Sequence, residues 1–271
     1  MFINTAGICP KVAPFPTGKP SASPSFIEVL NEKPKAKISI CSFTSGRAEI
    51  RKTLHTWRNH KGVSPEDVCI IVAEFGYRPT IFRTKESREG IDKYVFAYQP
   101  SYAPQYNICW WRNVPCFQAT TPYLLHTDSD VAFGPNLVKT MLDKIEETKK
   151  MPAAKYRPIA IHPTEMAASE ESWATWDNLK PIYKRNNHEC FWLFDANAYK
   201  KMRGWPEKWI GGGEQTPMDP KISKVFFIKN IDLDGLCHVK HERIDVRWKY
   251  GATGNGYERR ETQGDIYKYV H

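Results

Sequence analysis

The stretch that decides the fold of this chain reads Thr121-Pro-Tyr-Leu-Leu-His-Thr-Asp128-Ser-Asp130-Val-Ala-Phe133. Its apolar run, residues 123–125, predicts a buried strand, and two carboxylates separated by one residue follow that run. Alternate side chains share one face of an extended segment, so Asp128 and Asp130 are expected to point to one place beyond the strand end. Converging carboxylates are hard oxygen ligands for Mg²⁺ or Mn²⁺, and such ions often share their shell with phosphates. The alternative interpretation is a polar turn whose side chains are simply solvated.

Composition predicts a globular protein with a basic surface. The chain has 271 residues, of which 41% are hydrophobic and 13% aromatic, and this excludes an intrinsically disordered protein. Its formal net charge is +9. A basic surface is typical of proteins that meet a polyanion, an anionic membrane face or a phosphate-rich substrate, although many basic proteins have no such partner.

The cysteines and the termini predict a cytoplasmic protein of a bacterium or of a phage-infected host. Seven cysteines are scattered without a C-x-x-C pair. Several lie in apolar runs, which indicates buried thiols in a reducing compartment and neither a disulfide framework nor a zinc site. No apolar run is long enough to span a membrane, and no signal peptide is expected at the N-terminus.

Working outward from the Asp pair, the pattern predicts an α/β fold. Residues 38–43 and 68–73 are apolar runs typical of buried parallel strands, and residues 47–59 between them have helical spacing. A strand, a helix and a strand within about forty residues form a βαβ unit. Further strands are predicted at 94–98, 159–162, 189–194, 225–228 and 236–239, with helices at 137–150, at 197–202 and in part of 106–119. Residues 163–187 are predicted to form a polar connection.

The order of these parts resembles that of GT-A glycosyltransferases, most closely the large inverting superfamily and its galactosyltransferase-like members. A first strand leads to a turn and Arg47, a second strand ends in an acid, and Arg112-Asn113 precedes the D-x-D strand. The resemblance implies a Rossmann-like, mixed but mostly parallel sheet flanked by helices in a single domain, which would transfer sugar from a nucleotide-sugar donor.

The resemblance also divides the chain. It covers residues 37–245, with a nucleotide-sugar-binding half at 37–135 and an acceptor-binding half at 136–245. Residues 1–36 are rich in proline and are predicted to form an arm, with residues 26–30 as a short docking segment. Residues 246–271 form a basic, aromatic tail.

The resemblance implies a donor site built from several segments. Glu74 stands where the family keeps an acid against the uracil edge, and a carboxylate can accept the ring N–H. This chain has Gly46-Arg47 where the family usually has Asn-Arg, so the side chain before the arginine is lost. The implied nucleotide-sugar-binding residues are Ser42, Thr44, Arg47, Glu74, Arg112, Asn113, Asp128 and Asp130.

The metal site implied by the resemblance combines the second acid with a late histidine. Asp130 matches the direct metal ligand, and Asp128 matches the acid that contacts the ribose or a metal-bound water. His241 is the preferred histidine ligand, followed by His238; residues three apart in a strand point to opposite faces, so both binding one ion is not expected. An imidazole ligand favours Mn²⁺ over Mg²⁺.

The acceptor site is implied by residues 204–215, which resemble the family loop that ends in Gly-Gly-Glu-Asp. Glu214 matches the glutamate of that pair, whereas Gln215 replaces the second acid, which is the base in several relatives. Glu214 is therefore the first choice for the general base and Asp219 the second. The remaining acceptor-binding candidates are Trp205, Trp209, Gly212 and Gly213, of which the tryptophans either stack on sugar or belong to the core.

These patterns lead to one main hypothesis and two alternatives. The chain is predicted to be a metal-dependent transferase that moves sugar from a nucleotide sugar, with a UDP-sugar expected, to an acceptor hydroxyl with inversion. The +9 charge and the basic tail favour a hydroxymethylated base of phage DNA as the acceptor. The first alternative is a precursor of a surface or capsule glycan at the membrane face. The second is a nucleic-acid-binding protein without catalytic activity, which leaves the ordered acidic motifs unexplained.

Overall fold

The structure is a computed structural model of the chain, and its description is confined to part of the sequence. The described residues are 25–76, 78–98, 108–169, 176, 181–186, 190–205, 221–240, 248–250 and 257–259.

A central eight-stranded sheet forms the core of the fold. Its strand order is β1-β4-β3-β2-β5-β10-β7-β11, and four of the seven neighbouring pairs are parallel. The strands are β1 (Phe26–Val29), β2 (Ile38–Thr44), β3 (Val68–Gly76), β4 (Lys93–Tyr98), β5 (Tyr123–Thr127), β7 (Ile159–Pro163), β10 (Phe191–Asp195) and β11 (Phe227–Ile231). The predicted mixed, mostly parallel sheet is confirmed.

Helices cover both faces of this sheet. Ile38 and Ile40 of β2 pack into the cluster that holds helices α1 and α3, whereas Cys41 and Phe43 pack into the cluster that holds α2 and α4. The helices are α1 (Ile50–Arg58), α2 (Ile108–Phe117), α3 (Leu137–Lys149) and α4 (Ala196–Met202). Burial on both faces explains why β2 and β3 are almost continuously apolar in sequence.

A second, four-stranded sheet lies beside the Asp pair. Its order is β6-β12-β8-β9, with β6 (Val131–Phe133), β8 (Glu165–Ser169), β9 (Pro181–Asn186) and β12 (Leu236–His238). The prediction that residues 163–187 form only a polar connection is therefore wrong for β8 and β9. Residues 165–169 carry two alanines, which have low strand propensity, so their strand depends on pairing with β9 and β12.

The segment predicted to dock at residues 26–30 is an edge strand. Residues 26–29 form β1, which pairs antiparallel with β4, and the ring of Phe26 stacks on Phe96 with 5.6 Å between centroids. The main sheet thus begins inside the proline-rich arm. Helix α1 begins at Ile50, three residues later than predicted, because Arg47 takes part in a turn that closes on Thr44.

The described cysteines are buried thiols, as the sequence predicted. Cys41, 69, 109, 116, 190 and 237 are all buried and none forms a disulfide. Burial raises the pKa of Cys69 and of Cys237 to about 11, so both remain protonated at neutral pH. Within the described part of the chain, every helix is too short or too polar to cross a bilayer.

Candidate active site

The turn that carries the two aspartates is held by helix α1. Asp128 to Asp130 connect β5 to β6, and Thr53 Oγ1 donates to the carbonyl of Ser129 at 2.7 Å. The indole N–H of Trp57 donates to the carbonyl of Val131 at 2.8 Å. Asp130 is only 4% exposed, whereas the side chains of a solvated polar turn would be exposed to water. Sequence reasoning missed the roles of Thr53 and Trp57 in fixing this turn.

Asp128 lies between an arginine and a histidine. Arg112 Nη2 is 3.4 Å from Oδ2 of Asp128, and His126 Nε2 is 3.4 Å from Oδ1. Burial alone would raise the pKa of Asp128, but Arg112 and His126 outweigh it and hold that pKa below its usual value. Burial likewise opposes charge on His126, but its contacts with Asp128 and Cys116 raise the pKa of the imidazole. Asp128 is thus held as an anion by Arg112, with His126 beside it. Sequence reasoning missed His126, which directly follows the apolar run before the pair.

Asp130 is approached from two other elements. Arg47 Nη1, after β2, lies 2.7 Å from Oδ2, and His238 Nε2, at the end of β12, lies 3.7 Å from the same oxygen. The backbone N–H of Val239 donates to the carbonyl of Asp130 at 2.9 Å, which fixes β12 against the turn. The fold therefore brings together Asp130 and His238, which are 108 positions apart in the sequence.

Two groups around Asp130 have the chemistry of ligands for a divalent cation. A carboxylate oxygen and an imidazole nitrogen are the ligand types that Mn²⁺ accepts, and the guanidinium already shows that a cation is favourable beside Oδ2. Among the described residues, no group of three His, Cys, Asp or Glu side chains is placed to hold a metal. A complete shell would need further ligands, and His241, the preferred histidine from the sequence, lies outside the described residues.

The loop after β2 is closed by hydrogen bonds between its own polar groups. The backbone N–H of Arg47 donates to Thr44 Oγ1, and that hydroxyl donates to the Arg47 carbonyl, both at 3.0 Å. Gly46 between them has φ +86°, a conformation that favours glycine. Ser42 and Thr44 are buried, at 0% and 1% exposure. Of the three donor candidates on this segment, only Arg47 extends a partly exposed side chain to the Asp turn.

Glu74 is fully buried at the end of β3, where its carboxylate holds a loop. Oε1 accepts from the backbone N–H and the hydroxyl of Thr80 and from the N–H of Ile81. Oε2 accepts from the N–H of Phe82 at 3.2 Å and from the hydroxyl of Tyr94 at 2.7 Å. Both oxygens are thus engaged within the protein, and the contact of Glu74 with a uracil ring stays a prediction.

Helix α2 supplies Arg112 and Asn113 from the core side of the site. Arg112 lies over the ring of Trp205, 4.9 Å from its centroid, and extends to Asp128. Asn113 is fully buried, and its amide group bonds the backbone of Trp205. Trp205 is itself 1% exposed, so the described structure has it in the core, one of the two roles expected from the sequence.

Several predicted site residues cannot be compared with the structure. The general-base candidates, the acceptor candidates other than Trp205, and the preferred histidine ligand lie outside the described residues. These are Glu214, Asp219, Trp209, Gly212, Gly213 and His241.

Solved structures of other proteins share the fold of this chain. No protein-family model and no curated protein matches the chain. Among solved structures, residues 1–349 of TarS from S. aureus in complex with UDP match with a TM-score of 0.52 and 15% identity, over 75% of this chain and 60% of that one. The complex of the same fragment with UDP-GlcNAc matches with a TM-score of 0.53 and 15% identity, over 76% of this chain and 59% of that one. A structure of S. aureus TarS with a longer chain matches with a TM-score of 0.54 and 14% identity, over 75% of this chain and 37% of that one.

The similarity defines the fold of the chain. TarS is a glycosyltransferase of the GT-A type, and the chain has the same fold, as its sequence motifs predicted. The chain spans about 60% of the length of the TarS fragment and 37% of longer TarS.

Proposed function

We propose that the chain is a glycosyltransferase that takes sugar from a nucleoside-diphosphate sugar, with a UDP-sugar as donor. The observation that carries this proposal is the pair of aspartates after β5 in a GT-A fold, each with an arginine counter-ion, of which Asp130 is buried and Asp128 half-buried. Strand ends are where open α/β sheets bind ligands. The TarS fragment has been crystallised with UDP and with UDP-GlcNAc, which supports the same donor class for this chain.

In this proposal, Asp130 and His238 or His241 hold a Mn²⁺ or Mg²⁺ ion. When bound, the ion neutralises the charge that develops on the departing nucleoside diphosphate. Arg112 keeps Asp128 ionised and oriented as an acceptor for a ribose hydroxyl. Arg47 supplies a positive charge beside Asp130, and Thr44 fixes the backbone from which its side chain extends.

The transfer step is proposed to invert the anomeric carbon. Glu214, or Asp219 in its place, takes the proton from the acceptor hydroxyl. The oxygen forms a bond to the anomeric carbon as the bond from that carbon to the diphosphate oxygen breaks, and the diphosphate leaves with the electron pair. The Glu214→Gln variant should bind donor with unchanged affinity but lose transfer, whereas an active variant would move the base to Asp219.

The proposed acceptor is a hydroxymethylated base in DNA, on the strength of the +9 charge and the basic residues of the tail. A glycan precursor at an anionic membrane face is the second candidate, favoured by the same charge. Transfer of radiolabelled sugar to hydroxymethylated DNA, unmodified DNA and a lipid-linked glycan separates the two. Labelling of the glycan alone would reject DNA as the acceptor.

A thermal-shift screen tests the donor half of the proposal. Ligands that bind the native state raise Tm by mass action. We expect UDP or a UDP-sugar to raise Tm more than the corresponding GDP, CDP and ADP compounds, and Mn²⁺ to increase that shift. The Asp130→Ala variant is the site control. If no nucleotide changes Tm in either the presence or the absence of Mn²⁺, the donor site is wrong and salt-dependent DNA binding becomes the favoured activity.

A further inference from the structure

The carboxylate proposed to bind the metal is already paired with an arginine. Arg47 Nη1 lies 2.7 Å from Oδ2 of Asp130, and the two side chains are 28% and 6% exposed. An ion pair at so buried a carboxylate is only weakly screened by solvent. A divalent cation and a guanidinium carry like charge, so they compete for this oxygen.

The local structure lets the arginine side chain move without moving its loop. Both backbone groups of Arg47, its N–H and its carbonyl, form hydrogen bonds with the hydroxyl of Thr44, at 3.0 Å each. The side chain beyond this fixed backbone is long, flexible and partly exposed. Rotation about its own bonds is therefore sufficient to transfer the guanidinium from Asp130 to another anion nearby.

A nucleoside diphosphate supplies that other anion. Arginine binds phosphate through the same planar set of N–H groups that it offers to a carboxylate. With the diphosphate present, a cation can take the Asp130 oxygen while Arg47 gains a new partner. Without the diphosphate, a cation that binds Asp130 separates the ion pair, and the Arg47 guanidinium loses its carboxylate partner without gaining a phosphate.

We propose that Arg47 is an exchangeable counter-ion of Asp130, which makes binding of the divalent cation and of the nucleoside diphosphate mutually dependent. The inference rests on the proposed function, because it assumes a diphosphate ligand at this site. Its consequence is an order of events in which the cation binds weakly alone and tightly with nucleotide. Coupling of this kind is reciprocal, so the cation strengthens nucleotide binding by the same factor.

Titration with Mn²⁺, followed by the electron paramagnetic resonance signal of the unbound ion, tests the exchange directly. We expect wild-type protein to bind Mn²⁺ at least about tenfold more tightly with saturating UDP than without it. The Arg47→Met variant removes the competing cation, so it should bind Mn²⁺ alone about tenfold more tightly than wild type and gain less from UDP. Arg47→Lys keeps the positive charge and should stay close to wild type.

The controls separate this inference from the proposed function. Lys155→Met removes an exposed positive charge at the opposite end of the sheet, before β7, and should bind Mn²⁺ as wild type does. The Tm of Arg47→Met should lie below that of wild type without metal and recover with Mn²⁺, because Asp130 loses and then regains a counter-ion. If Arg47→Met binds Mn²⁺ alone no more tightly than wild type, the exchange is refuted even when UDP binds. If UDP binds to no form of the protein, the proposed function fails and the mutual dependence fails with it, while the Mn²⁺ titrations without nucleotide still show whether Arg47 competes with the cation for Asp130.

Discussion

The side-chain amide of Asn113 pairs with both backbone groups of Trp205. Its Oδ1 accepts from the N–H of Trp205 at 2.8 Å, and its Nδ2 donates to the carbonyl at 2.9 Å. The hydroxyl of Tyr199 donates to the same Oδ1 at 2.8 Å. Gly204 has φ +55°, and a Cβ there would lie 2.2 Å from that oxygen. Because Trp205 packs on Arg112, this pairing supports the cation that holds Asp128.

Replacing Asn113 by Ala should destabilise the protein by about 3 kcal/mol, because it leaves buried groups of Trp205 and Tyr199 without their partner. Urea unfolding followed by circular dichroism measures the loss. Asn59→Ala, at an exposed position after α1, is the matched control and should change stability little. If Asn113 instead contacts the donor and contributes little to the fold, the variant would unfold like wild type but bind UDP weakly.

Replacing Glu74 by Gln should destabilise the protein by about 2–4 kcal/mol, since one side-chain oxygen becomes an NH₂ group facing N–H and O–H donors. The same variant tests the predicted contact with uracil. UDP affinity is measured by calorimetry at a temperature where the variant is folded. An unchanged Kd would assign Glu74 to the 80–82 loop alone, whereas a selective loss of UDP binding would support contact with the base.

Replacing Asp130 by Asn should lower sugar transfer by a factor on the order of 10² to 10³, a loss typical of removing one electrostatic contact from a transition state. Asparagine has the same shape as aspartate, so the variant should keep the fold, and circular dichroism checks that it does. Initial rates with a UDP-sugar and Mn²⁺ give the result, and Lys155→Met serves as the surface control. Transfer at the wild-type rate would remove Asp130 from the metal site.

His60 should make stability fall as the pH is lowered from 6.5 to 4. Burial, and then the charge of Arg58, lower the pKa of this imidazole from 6.5 to about 4, and among the described residues neither ring nitrogen has a hydrogen-bond partner. The unfolded chain therefore binds more protons in that interval, so stability is complete above pH 6.5 and is lost as the pH falls toward 4.

The His60→Asn variant should lose part of this pH dependence. Thermal unfolding of both proteins between pH 4 and pH 7 provides the measurement. His55→Asn, at an exposed position of α1, is the control and should retain the wild-type profile. Parallel profiles for His60→Asn and wild type would show that other groups govern stability in acid.

Most of the fold was predicted from the order of apolar strands, helices and acidic motifs along the sequence. Periodicity located the strands that are buried on both faces, such as β2 and β3, because their sequences are apolar throughout. It missed β8, a short strand with two alanines that gains its stability from neighbouring strands. It also missed β9, whose sequence Pro-Ile-Tyr-Lys-Arg-Asn ends in three polar residues. The first turn of α1 was also misplaced, because the side chain of Thr44 competes for the backbone of Arg47.

The sequence by itself identified Asp128 and Asp130 as candidate site residues, because an apolar run followed by D-x-D can be recognised locally. Only the tertiary structure decided their partners. The pairing of Arg47 and His238 with Asp130, and of Arg112 with Asp128, joins residues from separate strands and helices. Such contacts depend on strand order and register, which no local pattern encodes, and they determine whether each carboxylate is solvated, paired or held for a ligand.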